Sequence, residues 1–209
     1  MKKLWSRIRN DWLLAVVVVM FLITGGIGVT YAYNQHNTEL DNFLRASSVA
    51  SEILENGSTV GENNQLVLTP NEKTAKKVQF KNTGESDVFV RVTFSERWVT
   101  NDGEWLENNE AYVTLDWTSE WAQEWQQKDD GWYYYKKVLP SKAITKEVLA
   151  SVGFTSLENL SPAYQKSTYQ LFFTMEVLQV SDEEAVNEGA LKKVFGRTAT
   201  VTNGVVEWN

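Results

Sequence analysis

The chain has 209 residues, no cysteine and a single histidine, and its formal net charge is −7 at pH 7. The missing cysteines exclude disulfides, thiolate metal sites and a cysteine nucleophile, and the lone His36 excludes most histidine-based metal and triad chemistry. The acidic balance argues against nucleic-acid binding, which needs basic surfaces, while nine Trp, eight Tyr and nine Phe are enough to fill the core of one ordinary domain.

Residues 1–32 have the three-part layout of a secretory signal peptide. A basic start precedes an uncharged apolar run from Leu13 to Ile23, and glycines and small residues then lead to a predicted cut between Ala32 and Tyr33. An uncleaved membrane anchor is the alternative, because the stretch up to Ala32 offers about 20 residues without a charge, enough to span a bilayer. The first interpretation predicts a secreted protein, the second a membrane-anchored one, and both put the bulk of the chain outside the cell.

Residues 33–56 form an N-terminal segment ahead of the predicted domain, which we assign to residues 57–209. Most of the segment is polar, with isolated apolar residues at Leu40 and Phe43. Farther on, a strand would place Val49, Ser51 and Ile53 on one side and residues 50, 52 and 54 on the other, and a helix is the alternative. Residues 57–64 have the composition of a loop.

Short strands are predicted along the first half of the domain. Residues 65–68 form the first, closed by a turn at Pro70. The stretch 78–94 holds two alternating runs around a turn at 82–87, and it predicts a hairpin-like pair that seeds an antiparallel sheet. In its second strand, one face is apolar and the other half in solvent. A turn at 101–103 precedes a further strand over 112–117.

Three tryptophans, Trp117, Trp121 and Trp125, follow at a spacing of four, which fits one face of a helix. We instead expect a short turn and then a strand ending at Gln127. The dipeptide Asp130–Gly131 predicts the turn of a hairpin, with the returning strand over residues 132–139.

The rest of the chain mixes strands with helix. Residues 144–160 fit either a strand or a helical insertion, and 169–180 is the most apolar strand, expected at the centre of a sheet. Ser181 and the acidic residues after it predict a helix start, and Gly196 its end. Two short strands around Asn203–Gly204 complete the pattern. The pattern is therefore mainly β, one domain of many short antiparallel strands with one or two short helices.

Aromatic and acidic clusters are the candidate functional residues. On a strand, Trp132 and Tyr134 lie on one side and could stack on sugar rings, although burial in the core with cross-strand aromatic pairing is the favoured interpretation. The pairs Asp129/Asp130 and 183/184 fit turn and helix-start chemistry better than catalysis or calcium binding. No zinc, phosphate-loop or nucleophile-elbow motif is present, so the sequence predicts no enzyme, no cofactor and no metal.

Several segments, taken in order, resemble one family. They are the exit GGIGVTYAY, the polar stretch 37–43, LTPNEKTAKKVQFKNTGESDVFVRVTF, DGWYYYKKVLPS and MEVLQVSDEEAVNEGALKKVFG. This order resembles the TasA-like and camelysin-like exported biofilm-matrix proteins of Gram-positive bacteria, which a dedicated ER-type signal peptidase processes. The resemblance covers nearly the whole chain, and KNTGESDVFVRV and DGWYYYKKVL are its most specific parts.

The resemblance implies a jelly-roll sandwich that is secreted and assembles into extracellular fibres. In such fibres the segment freed by signal cleavage donates a strand to the neighbouring subunit. Here that donor is the N-terminal segment, with Leu40, Phe43, Val49 and Ile53 as candidate anchors. The metalloprotease activity described for camelysin-like proteins does not carry over, because the chain has no set of zinc ligands.

The expected function is therefore that of a structural subunit of biofilm-matrix or cell-surface fibres. Its partners would be copies of itself, the signal peptidase during export, and other matrix proteins or polysaccharide. A surface adhesin that binds carbohydrate and a membrane-tethered accessory protein of the matrix are the alternatives. The sequence leaves open whether the chain is a major, minor or capping subunit, and which strand edge accepts the donor.

Overall fold

The computed structural model describes residues 50–60, 65–69, 73–107 and 112–209. These residues form mainly antiparallel strands in a sandwich-like arrangement, which confirms the predicted fold class. The strands are β1 (Ser51–Glu55), β2 (Ser58–Thr59), β3 (Gln65–Leu68), β4 (Thr74–Asn82), β5 (Val88–Thr100), β6 (Trp105–Leu106), β7 (Val113–Trp117), β8 (Trp125–Gln127), β9 (Tyr133–Tyr135), β10 (Leu149–Phe154), β11 (Ser167–Gln179), β12 (Ala199–Thr202) and β13 (Val205–Trp208). The α-helices are α1 (Ser119–Glu124), α2 (Pro162–Gln165) and α3 (Glu184–Val194), and a short 3-10 helix spans Leu157–Asn159.

Two sheets face each other across the core. The smaller has the strand order β2-β1-β4-β10-β7, and the larger has the order β3-β11-β5-β9-β8 with β6 also paired to β5. The central pair of the larger sheet, β5 with β11, stays in register over its whole length, from Ser167 opposite Thr100 to Gln179 opposite Val88. This confirms that the strand predicted over 169–180 is central. The stretch 144–160, for which the sequence left a strand or a helical insertion open, contains strand β10 followed by the short 3-10 helix.

The core between the sheets combines aliphatic residues with several large aromatic ones. Phe80 of β4 contacts the rings of Trp125 and Phe173 edge-on, at centroid distances of 5.3 and 5.9 Å. At the other end of the sandwich, Trp98 packs edge-on against Tyr169 at 5.4 Å. Such edge-to-face pairs stabilise a fold beyond the area they bury. The abundance of aromatic residues in the sequence is thus explained first by packing.

The two strands predicted as a hairpin, β4 and β5, are not paired with each other. β4 lies in the smaller sheet and β5 in the larger, so the turn between them crosses the sandwich. The fully buried side chain of Asn82 lies at this crossing. Its Nδ2 donates to the carbonyls of Ser86, Leu139 and Pro140 at 2.8 to 3.2 Å, and its Oδ1 accepts from the Gly84 N–H at 2.9 Å.

The tryptophans spaced four apart lie partly on a helix, so the predicted turn is corrected to helix α1, whereas the strand ending at Gln127 is confirmed by β8. Helix α1 begins after Thr118, whose Oγ1 accepts from the Trp121 N–H at 3.3 Å. Trp121 stacks on Trp117 at 4.9 Å and packs against Trp125 at 5.4 Å. The helical spacing therefore brings three indoles together on the side of the sandwich where the chain passes from β7 to β8.

A second, smaller core lies on the outer face of the larger sheet. Its buried members are Phe89, Tyr134, Leu178, Ala190, Leu191, Phe195, Val206 and Trp208. Helix α3 and the hairpin β12–β13 supply half of them, so they cover the face of β5 that was expected to be half in solvent. The predicted turn at Asn203–Gly204 is confirmed, and both residues have positive φ.

The start of helix α3 differs from the prediction. Its N-cap residue is Glu183 rather than Ser181. Ser181 belongs to the turn before the helix, where its Oγ accepts from the Glu183 N–H at 3.1 Å and Asn187 bonds its backbone N–H and C=O. The predicted end is confirmed, because Gly196 has φ of 67°.

The domain begins earlier than predicted. Strand β1 pairs with β4 from Ser51 opposite Asn82 to Glu55 opposite Val78, so it is an integral strand of the smaller sheet. The boundary placed at residue 57 is therefore too late. The signal peptide and most of the N-terminal segment lie outside the described residues.

Candidate assembly edges and aromatic surfaces

Among the candidate donor anchors, the structure describes Ile53 alone. Its side chain is only 2% exposed and lies opposite Phe80 in the domain's own sheet. Ile53 is therefore a core residue and is not available as a donor anchor, which corrects the prediction for this position. The other anchors, Leu40, Phe43 and Val49, and the predicted cut between Ala32 and Tyr33 lie outside the described residues.

The predicted sugar-stacking pair is occupied by the protein itself. Tyr134 is fully buried, its ring lies 4.8 Å from that of Trp208, and its hydroxyl donates to Asp130 at 2.6 Å. Trp132 is half-buried, with the guanidinium of Arg91 4.3 Å from its ring centroid. The two residues do share one side of the strand, but the sugar-stacking role is wrong for Tyr134, because no face of its ring is open.

Arg91 packs between two aromatic rings next to Tyr134. Its side chain is 11% exposed and lies between the rings of Trp132 and Phe195, 4.3 and 4.4 Å away. Two of its nitrogens donate to Glu176 at 2.8 and 2.6 Å, and a third donates to the Phe195 carbonyl at 3.0 Å. The residue thereby ties strand β5 to the end of helix α3.

The acidic pair in the β8–β9 turn is neutralised within the protein. Arg197 donates to Asp129 and lies 3.5 Å from Asp130. Hydrogen bonding to Arg197 lowers the pKa of Asp129. Burial opposes ionisation of Asp130, but bonds from the Tyr134 hydroxyl, the Trp132 amide and Arg197 outweigh it and lower its pKa. No group of three or more acidic or histidine side chains fit for a metal ion occurs within the described ranges.

A buried carboxylate lies at the end of helix α1. Glu124, 7% exposed, accepts hydrogen bonds from Lys137 at 2.7 Å and from the Tyr135 hydroxyl at 3.5 Å, and it lies 3.3 Å from Lys146. Burial disfavours its ionised form, but the two lysines outweigh burial and lower its pKa below the ordinary 4.5. Burial and the neighbouring Glu124 raise the pKa of Tyr135 to about 12.

This carboxylate predicts acid sensitivity. A pKa lowered in the folded state adds stability above pH 4.5, and that stability is lost as the pH falls through the folded pKa. We expect Glu124→Gln to cost about 1–2 kcal/mol of unfolding free energy at pH 7 and progressively less below pH 4.5. Urea titrations of both proteins from pH 3 to 7 measure the gap; a gap that widens toward low pH would contradict the assignment.

Each sheet ends in strands with one neighbour. β7, at the end of the smaller sheet, pairs with β10, and β3, at the end of the larger, pairs with β11; neither has a second partner strand in the described part of the chain. An unpaired edge presents free N–H and C=O groups to another strand.

The flank of the sandwich at β7 is less well covered than its centre. Val113, Leu115 and Trp117 pack against the core but are only half-buried, whereas Val78 and Val152, in the strands behind them, are fully buried.

The Thr155 N–H donates to the Tyr112 carbonyl at 3.0 Å. Antiparallel alternation therefore turns the backbone N–H and C=O of Val113 and Leu115 away from β10, toward the open edge.

Sequence reasoning missed an exposed aromatic surface on the larger sheet. Trp105 of β6 is 73% exposed and lies 4.9 Å from the guanidinium of Arg97, which is also 4.3 Å from the ring of Phe172. The sequence does contain a signal for this surface. The turn at 101–103 predicts a hairpin that brings Trp105 opposite Val99, on the same face as Arg97.

None of the helices in the described ranges is long and apolar enough to cross a membrane. No family model, no curated protein and no solved structure matches this chain, so the resemblance to the exported biofilm-matrix proteins stays an expectation.

Proposed function

We propose that the protein is a secreted structural subunit of extracellular fibres, which assembles when the N-terminal segment of one copy adds as a strand to the sheet edge of the next. The observation that supports this most directly is the open β7 edge, where core-facing side chains remain half-buried. A strand added there would gain backbone hydrogen bonds and cover those side chains. The catalytic motifs absent from the sequence are consistent with a structural role.

We restrict the proposed donor segment to the residues before strand β1. Because β1 is already part of the sandwich, the free donor is residues 33–49, with Leu40, Phe43 and Val49 as its apolar anchors. Each copy gives a strand at one end and accepts one at a different site, so the contact is head-to-tail and does not close on itself. Such a contact produces filaments rather than dimers.

We expect deletion of residues 33–49 to abolish filaments while the domain stays folded. The deletion removes the donor and leaves β1 in place. The measurement is the pelletable fraction after ultracentrifugation, with negative-stain images of the same samples, comparing the chain that starts at Tyr33 with the deletion. Circular dichroism and urea denaturation verify the fold. Filaments formed as readily by the deletion variant would overturn strand donation.

A single substitution tests the acceptor edge. Val113→Pro removes an N–H that points away from β10, which an edge strand tolerates, and it removes one bond of the proposed added strand. We expect it to reduce the pelletable fraction at least about tenfold, the effect of about 1.4 kcal/mol per contact. Val113→Ala is the matched control because it shortens the same side chain but keeps the N–H. Equal assembly of the two variants would exclude β7 as the acceptor.

A further inference from the structure

The outer face of the larger sheet is divided into a covered half and an open half. Helix α3 and the C-terminal hairpin bury Phe89 and Leu178 in one half. In the other half, Trp105, Arg97 and Phe172 border an open cleft of about 590 Å³. We call these three residues, with the exposed Ser95 and Thr174 that also line the cleft, the Trp105 surface.

Arg97 is an arginine without a carboxylate partner in the described part of the chain. Its Nε donates to Gln170 at 2.6 Å, and its two flanking rings fix the plane of the guanidinium. The terminal nitrogens, with four N–H groups, are left without a hydrogen bond to a described residue. In contrast, Arg91, which lies earlier on the same face of β5, is fully engaged by Glu176 and Phe195. A fixed guanidinium with free donors is suited to bind a carboxylate in bidentate geometry.

One carboxylate does line the cleft, but it belongs to the other face of the strand. Glu96 alternates with Arg97 along β5, and it lies beside the buried Tyr169, whose pKa is raised by burial and by Glu96. Its side chain therefore leaves the strand on the face opposite to that of Arg97. Arg97 supplies the charge on the outer side.

We propose that the Trp105 surface binds an acidic polysaccharide, with a sugar carboxylate on the guanidinium of Arg97 and the apolar face of a sugar ring on the indole of Trp105. Such a ligand matches each feature of the surface. Its C–H face suits an exposed indole, its hydroxyls suit Ser95 and Thr174, and its carboxylate suits the free N–H groups. The cleft volume lies in the range of small-ligand sites, about 300–1,000 Å³.

Charge and shape favour this ligand over a protein partner. The apolar groups of the surface are separated by Arg97 and Gln170 rather than forming the continuous apolar centre typical of protein interfaces. The proposal is independent of fibre assembly, since the Trp105 surface lies on the outer face of the larger sheet and the proposed acceptor edge is β7 of the smaller.

Calorimetric titration of the full chain with hexagalacturonate, and with uncharged maltohexaose as the reference sugar, tests the proposal. We expect hexagalacturonate to bind, maltohexaose to bind at least tenfold more weakly, and the affinity for hexagalacturonate to fall with added salt. Arg97→Gln and Trp105→Ala should each weaken hexagalacturonate at least tenfold. Arg97→Lys keeps the positive charge but loses the paired N–H donors of the guanidinium, so it should weaken the binding of hexagalacturonate by less than Arg97→Gln does.

Two substitutions elsewhere serve as matched controls. Lys192→Gln removes a cation from α3, and Val201→Ala trims an exposed apolar side chain of β12; neither should change the affinity. No binding of hexagalacturonate to the wild type, or equal losses in the variants and controls, would overturn the proposal. Equal affinity for maltohexaose would overturn the role of Arg97. Reduced self-association of Trp105→Ala with unchanged sugar binding would show instead that the surface contacts a second copy.

Discussion

Asn82→Ala is expected to lower the free energy of unfolding by about 3–4 kcal/mol, because it removes four hydrogen bonds that a fully buried side chain makes to the backbone, each worth about 0.5–1.5 kcal/mol. Its amide bonds the Leu139 and Pro140 carbonyls and the Gly84 N–H inside the protein. These three groups each keep a hydrogen bond to the backbone of another residue, so the expected cost is that of the lost side-chain bonds. Urea denaturation at pH 7 gives the measurement.

Two further variants make this prediction specific. Asn82→Asp keeps the acceptor for the Gly84 N–H but places a buried carboxylate against carbonyl oxygens, so it should destabilise at least as much. Asn159→Ala, in an exposed turn with one local bond to Ser156, should cost no more than about 0.5 kcal/mol. A loss below about 1 kcal/mol for Asn82→Ala would mean that the crossing between the sheets does not depend on this side chain.

Trp208→Ala is expected to cost about 3–5 kcal/mol, the range for truncating a large buried aromatic residue. Trp208 is 5% exposed and contacts the rings of Phe89 and Tyr134. Its Nε1 donates to the Tyr135 carbonyl at 2.8 Å. The substitution therefore opens a cavity in the smaller core and leaves a buried carbonyl unpaired.

The same variant tests whether the C-terminal hairpin unfolds with the sandwich. Trp208 joins the hairpin to β5 and β9, so we expect one urea transition, shifted to lower concentration with an unchanged slope. Val201→Ala, on the exposed side of the same hairpin, should change the free energy of unfolding by no more than about 0.5 kcal/mol. Two separate transitions in the wild type would contradict a single cooperative unit.

Local patterns predicted the strands well because the alternation of apolar and polar residues depends only on the sequence of the strand itself. The runs that became β5 and β11, and the turn at Asn203–Gly204, all follow from periodicity and from positive-φ propensity. Which strands pair is a different matter. The strands before and after the turn that begins at Asn82 have the local sequence of a hairpin. In the structure they belong to opposite sheets, and Asn82 bonds the carbonyls of residues 139 and 140.

The candidate sites could be predicted only in part, for a related reason. Alternation puts Trp132 and Tyr134 on one side of their strand, but it cannot tell that side from solvent. Phe195 and Trp208, from the far end of the chain, cover it. In the same way, the alternation that marked Ile53 as an anchor is that of a buried strand, and the pattern alone does not say whether the covering sheet comes from the same copy or a neighbour.

The long central pair of the larger sheet determines when the domain can form. Arg91 and Glu176 face each other across β5 and β11 although they are 85 residues apart in sequence, and β4 contacts Thr145 across 65 residues. Folds built on such distant pairings fold slowly, on the order of milliseconds to seconds, because the loops must close before the contacts repay their entropy. A growing chain therefore stays without its larger sheet until residues up to 179 are available, and fragments that end earlier should remain unfolded.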